Sequence, residues 1–290
     1  MYYADSFKNV SMPSFDFEID IKQHLGMTMS SSSSNTSWGS YFYNYNLLAH
    51  KSNEESDYNK QFKEIAESNG FKFESHSVVT KDGYILELYR VRAPFTPDTG
   101  APVVFLQHGI MSSADCWIAN YAHNSPAFVL ALDGYDVWLG NSRGTTHSRS
   151  HKWLDPEKDS AFWDFSFVEL GKYDLPAMIS KVIETTKVEK VTYMAHSQGT
   201  TLMFYALATN EEWLDERVNL FIALAPVIKL EHAHDSFLGS VSQKESLVEK
   251  TLSGLKLYEI FGKKWKNNKS NVCKVIPFLC HTGSYLFVNS

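Results

Sequence analysis

Short, unbroken apolar runs recur in the second third of the chain: VVFL at Val103–Leu106, DVWL at Asp136–Leu139, VTYMA at Val191–Ala195 and FIALA at Phe221–Ala225. Runs this short and apolar at nearly every position predict strands buried on both faces, as in a parallel sheet covered by helices. Between them Ser125–Leu132, Tyr173–Thr186 and Gln198–Thr209 read as helices, and the alternation predicts an α/β sheet. Upstream, Phe71–Thr80 and Tyr84–Val91 are rich in β-branched and aromatic residues. Lys81, Asp82 and Gly83 between them predict a hairpin. A short helix comes first: Phe62, Ile65 and Ala66 share one face within Asn59–Asn69, and Gly70 stands where a helix would stop.

Both ends have a different texture. Residues 1–57 are rich in Ser, Asn and Tyr, include the run Ser30–Ser34 and sustain neither period, so a poorly ordered leader is expected there. From Lys229 the apolar and aromatic positions become irregular, with the basic residues Lys263, Lys264, Lys266 and Lys269 among them. The expected organisation is a leader at 1–57, an α/β core at 58–228 and part of a cap at 229–290. No segment repeats another.

At 290 residues and 43% apolar content, the chain can bury one sizeable core. Its net charge of -6, from 33 acidic and 27 basic residues without long blocks of either sign, argues against a nucleic-acid surface. No run reaches the roughly 18 apolar residues of a membrane span, so no transmembrane segment is expected. The first residues also lack the order of a signal peptide. Cys116, Cys273 and Cys280 are too few for a disulfide scaffold and lack zinc-site spacing. Cys273 and Cys280 are placed either to close a small loop or to remain free thiols. The sequons at Asn9, Asn35 and Asn268 are too short a pattern to argue for secretion.

The chemistry concentrates in VTYMAHSQGTT, where a buried strand runs through Ala195, His196, Ser197, Gln198 and Gly199 into a helix. A serine hydroxyl is a weak nucleophile. A strained strand-to-helix turn exposes it, and small residues on either side admit neighbouring backbone. The helix starting at Gln198 adds free N–H groups and a positive dipole end suited to an oxyanion. Ser197 is therefore expected to be a nucleophile, with Ala195 in place of the usual first glycine of the elbow. In LQHGIMSS the run Val103–Leu106 ends at Gln107, His108, Gly109 and Ile110. The backbone N–H groups of Ile110 and Gln198 are the expected oxyanion donors, Gly109 permits close approach, and the His108 ring is expected to bond loop backbone. Arg143, in WLGNSRGTTHS, reads as an arginine tying loops together, since no phosphate-binding glycine pattern surrounds it.

Together these segments resemble the acid lipase family, the neutral-lipid hydrolases typified by gastric and lysosomal acid lipases. The resemblance rests on DGYILELYR at Asp82–Arg90, LQHGIMSSADCWI at Leu106–Ile118 and GYDVWLGNSRG at Gly134–Gly144. It continues through FWDFSFVELGKYDLPA at Phe162–Ala177 and AHSQGTT at Ala195–Thr201, and more weakly through VCKVIPFLC at Val272–Cys280. It implies an α/β-hydrolase fold, incomplete here, with the beginning of a cap domain. It also implies two-step acyl transfer on triacylglycerols or steryl esters through an acyl-enzyme on Ser197, at a lipid interface and without metal or organic cofactor. Members of the family act in lysosomes or after secretion.

In that fold the partners of the nucleophile follow it in the order Ser, then Asp or Glu, then His. The groups available after Ser197 are Asp215, His232, His234, Asp235 and His281. Asp215 stands in the charged stretch Glu211–Arg217, and His232 and His234 precede Asp235 in the wrong order, so none is assigned. The triad Asp and His are expected to be missing, and the chain alone is expected to turn over poorly. Two other functions compete: a lipid- or partner-binding product without turnover, and another α/β-hydrolase activity such as a peptidase or thioesterase.

Overall fold

A computed structural model describes residues 60–229. Helix α1 (Phe62–Ser68) opens with a reciprocal cap in which the Gln61 N–H donates to Glu64 Oε2 at 2.8 Å. It buries Phe62 and Ala66 and ends where the Gly70 and Phe71 amides close on Glu67 and Ala66. Strands β1 (Lys72–Val79) and β2 (Tyr84–Arg92) form the expected hairpin, paired from Lys72↔Arg92 to Val79↔Ile85. In its turn Thr80 Oγ1 donates to Asp82 Oδ1 and accepts from the Tyr84 amide, while Gly83 takes φ 104°, a conformation that favours glycine.

The alternation downstream gives β3 (Val103–Gln107), α2 (Pro126–Leu132), β4 (Asp136–Gly140), β6 (Val191–His196), α4 (Gln198–Asp215) and β7 (Val218–Leu224). Helix α3 (Leu175–Thr186) lies between β4 and β6, and the two-residue strand β5 (Ser150–His151) pairs with β2. The sheet order is β1-β2-β4-β3-β6-β7; β4, β3, β6 and β7 are parallel, and β2 joins them antiparallel through β4. The carboxyl ends of β3, β4 and β6 therefore emerge at one edge, where ligands bind in open α/β sheets.

Every residue of β3 and β4 is buried, as apolar runs covered on both faces require. Phe105, Trp138 and Tyr193 pack with Met178, Ile179 and Val182 of α3 and Met203 and Ala206 of α4. The alternate residues Val104, Leu106, Val137 and Leu139 are also buried, and Phe128 of α2 stacks on Phe71 at 4.5 Å. Strand β7 departs from the expectation of full burial, because it is the last described strand and has a described neighbour only on the β6 side.

Two helices differ from their sequence reading. The stretch read as one helix from Tyr173 enters through a helical turn at Phe167–Glu169 and a π-helical segment at Leu170–Asp174, closed by the Leu175 amide donating to Leu170 O. Pro176 has no N–H for the ordinary α ladder, which favours the wider turn. Helix α4 runs to Asp215 rather than Thr209, but is broken at Asn210 (φ −153°, ψ 44°).

The π segment delivers Asp174 to Arg143. Asp174 is fully buried; it accepts from the Arg143 amide at 3.0 Å and from Nε at 2.8 Å, while the other arm of the guanidinium reaches Asp82 at 2.6 and 3.0 Å. The guanidinium also lies 3.9 Å over the Tyr84 ring. Burial pushes the Asp174 carboxyl up to about 6 against the pull of Arg143. For Arg143 burial works against the charge, yet Asp82 and Asp174 outweigh it and hold the guanidinium cationic. Arg143 thus ties the loop after β4 to the hairpin turn and to the π segment.

Removing one member of a buried pair strands the other. Arg143→Met is accordingly expected to cost about 3–5 kcal/mol in urea unfolding, and Arg143→Met with Asp174→Leu less than the single change. A loss for the single variant below about 1 kcal/mol, the value of an exposed pair, would contradict this account.

Candidate active site

Ser197 sits between β6 and α4 with φ 53° and ψ −122°, a backbone conformation rarely adopted by a residue with a Cβ. Its cost, about 1–3 kcal/mol, must be met by the surroundings. The Ser197 amide donates to Leu224 O at 3.0 Å at the end of β7, and its carbonyl accepts from the Thr200 amide at 2.9 Å and from Thr200 Oγ1 at 2.6 Å. Thr200 Oγ1 in turn accepts from the Val227 amide, and Thr201 Oγ1 donates to Val227 O. The strained residue is therefore held from both sides by bonds that do not use its own hydroxyl.

Small residues let the loop after β3 lie against this turn. A Cβ on Gly199 would stand 2.7 Å from both Gln107 O and His108 O, and one on Gly109 would stand 2.9 Å from Ser197 Cβ and 3.4 Å from its Oγ. Ala195 is fully buried within β6 and His196 is exposed. Gln198 opens α4, so its N–H is among the first-turn donors without an intrahelical acceptor. Ile110 follows Gly109 in the chain, and its side chain is exposed. The close approaches at Gly109 and Gly199 thus set the loop that carries Ile110 against the turn that carries Ser197 and Gln198.

The loop is braced from beneath. Gln107 Nε2 donates to Ser142 Oγ at 3.0 Å, the Ser142 amide donates to His108 Nε2 at 3.1 Å, and His108 Nδ1 lies 2.7 Å from Gly109 O. Asn141 Oδ1 accepts from the Ala114 amide and its Nδ2 donates to Glu87 O. His108 is buried, and burial pushes its ring down to about 4. Sequence reasoning marked the turn Gly140–Gly144 but missed Ser142, Thr200 and Asp174 as supports. Their roles depend on partners from other segments, although all lie within the blocks that carry the family resemblance.

Among the described residues no side chain hydrogen-bonds the Ser197 hydroxyl, and no group of three or more His, Cys, Asp and Glu is placed to hold a metal. Asp215 is exposed at the end of α4. His232, His234, Asp235, His281, Cys273, Cys280, the sequons, the leader and most of the cap region lie outside the described residues. Cys116 is an exposed free thiol. No helix among the described residues is long and apolar enough to cross a membrane.

Comparison with known proteins matches residues 102–247 to the family described as the alpha/beta hydrolase fold, and residues 62–121 to the partial alpha/beta-hydrolase lipase region. Lipase member K from Homo sapiens is 43% identical over 219 residues, covering 74% of this chain and 54% of that protein. Gastric triacylglycerol lipase from Mus musculus is 45% identical, covering 67% of this chain and 47% of that protein. Among solved structures, an epoxide hydrolase from Vigna radiata superposes with a TM-score of 0.41 at 15% identity, covering 71% of this chain and 53% of its own. The chain spans about half the length of the curated relatives it matches.

Proposed function

This chain belongs to the α/β-hydrolase fold family, within its acid lipase branch, and on that premise we propose that it takes part in hydrolysis of neutral-lipid esters, triacylglycerols or steryl esters, with Ser197 as nucleophile. One observation carries the reading. Ser197 is held at φ 53° on a strand-to-helix turn, with Gly109 and Gly199 admitting the loop that precedes Ile110. Among the described residues Ser197 is anchored through its backbone, which leaves its hydroxyl available to react.

In the first step Ser197 Oγ bonds to the ester carbonyl carbon, its proton passes to a base, and the carbonyl oxygen becomes an oxyanion facing the Ile110 and Gln198 amides. Collapse expels the alcohol, which takes up the proton, and leaves an acyl-enzyme. In the second step water adds to the acyl carbon through a second oxyanion, and the fatty acid leaves as Ser197 regains its proton. Among the described residues no histidine hydrogen-bonds the Ser197 hydroxyl, so the base is to be sought outside residues 60–229. The apolar side chains of Ile110 and Met111, exposed beside the turn, suit a hydrocarbon substrate.

The reading is tested by treating the protein with a fluorophosphonate and measuring release of fatty acid from a tributyrin emulsion and a steryl ester. Labelling of Ser197 in proportion to lost hydrolysis is expected; hydrolysis that persists with Ser197 fully labelled would overturn it. The Ile110 assignment has its own check. Ile110→Leu keeps the N–H and is expected to turn over like the parent, whereas Ile110→Pro removes it and is expected to lose about 10²–10³-fold in kcat.

A further inference from the structure

The His108 ring sits between two groups whose hydrogen-bonding roles are not negotiable. A backbone amide can only donate, so the Ser142 N–H at 3.1 Å requires a lone pair on Nε2. A carbonyl oxygen can only accept, so Gly109 O at 2.7 Å requires the proton on Nδ1. Both contacts demand the same neutral tautomer, and the ring is buried away from water that would favour its charged form.

The peptide after Gly109 is trans, so its carbonyl oxygen and the Ile110 N–H point in opposite directions across one rigid plane. A ring that pins the oxygen therefore also sets the direction of the N–H. We propose that His108, held in its Nδ1–H tautomer by the Ser142 amide, is the positioning residue that aims the Ile110 N–H at the oxyanion above Ser197. The inference rests on the acyl-transfer role of Ser197 set out above.

What holds the ring is itself braced. Ser142 is fixed by Gln107 through its hydroxyl, and the next residue, Arg143, is locked to Asp174 through both amide and guanidinium. Without such support the Gly109 to Ile110 plane would be free to turn, since glycine imposes little restraint and the loop surface is exposed at Ile110 and Met111. The titratable groups that act on the ring are Asp115, which favours a proton on it, and His147, which opposes one; Asp115 Oδ2 and His147 Nε2 lie 2.7 Å apart. Protonation would turn Nε2 into a donor facing the donating Ser142 amide, so the tautomer and the loop should be lost together in strong acid.

Two measurements test the proposal. In the parent protein, ¹⁵N shifts of the His108 imidazole are expected to show a protonated Nδ1 and an unprotonated Nε2 from pH 8 down toward about 4; the opposite tautomer, or a ring titrating near its ordinary value, would overturn it. In the kinetics, His108→Ala is expected to lower kcat by about 10- to 100-fold with KM little changed, less than removing an oxyanion donor outright. His108→Asn, whose side-chain N–H can replace the Nδ1 donor, is expected to recover most of that loss. If Ser197 proves essential while His108→Ala turns over like the parent, the positioning role fails alone. If Ser197 proves dispensable, the acyl-transfer premise itself fails.

Discussion

Ser197→Ala, made in a chain that carries the general base, is expected to lower ester hydrolysis by about 10⁴-fold or more, the scale on which serine hydrolases lose rate with their nucleophile. The fold should survive the change. Alanine keeps the Cβ at the same backbone angles, and the bonds to Leu224 and Thr200 run through the Ser197 amide and carbonyl rather than its hydroxyl. Ser197→Gly sharpens the test: it removes the hydroxyl and the Cβ that makes φ 53° costly, so it is expected to be equally inactive and at least as resistant to heat as Ser197→Ala. Loss of rate with unchanged or raised melting temperature cannot come from unfolding. Retention of more than about a hundredth of the parent rate by both variants would remove Ser197 from the chemistry.

Gly199→Ala is expected to separate the elbow from the loop it supports. The added methyl would meet two backbone carbonyls, Gln107 O and His108 O, at 2.7 Å, with Gln107 Cγ at 3.1 Å behind them. Backbone held in a buried strand end cannot yield as a flexible side chain would, so overpacking should cost about 1–3 kcal/mol or somewhat more. The same displacement moves the Ile110 amide relative to Ser197, and a shift near 1 Å can cost about 10²-fold in rate. Gly134→Ala is the control: its Cβ meets nothing within 4 Å, so strain at φ 92° should lower stability without touching kcat. If both glycine variants lose rate equally, the close approach at Gly199 is not the cause.

The strands of the sheet and the elbow were legible along the chain because their signals are local. VVFL, DVWL and VTYMA each carry burial on both faces within a few residues, and the strand, turn and helix around Ser197 follow one another without a gap. The π-helical turn was not legible. Its apolar spacing passes for an ordinary helix, and what distinguishes it is i to i−5 bonding, as from the Leu175 amide to Leu170 O, beside a proline. Strand β5, two residues long, has no periodicity to detect and exists because β2 offers it a partner. At the site, Arg143 could be recognised as a loop-tying arginine, but its partners Asp82 and Asp174 stand 61 and 31 residues away in sequence, and no pattern names them. The bracing of His108 by Ser142 is hidden for the same reason: it spans 34 residues and uses a backbone amide that any residue would supply.

The triple anchorage of Arg143 also bears on how the domain assembles. Each acidic partner reaches it by closing a separate length of chain, and the entropy of each closure is lost before the contact repays it. An assembling chain that has docked Arg143 on the hairpin turn, but has not yet brought the π segment home, would hold a half-paired cation in a place water has left. Partial states of that kind are penalised, so the corner beneath the sheet's carboxyl edge closes only when hairpin, β4 loop and π segment arrive together. The loop that carries Ile110 rests on that corner through Ser142, so a competent site requires hairpin turn, β4 loop and π segment to be in place together.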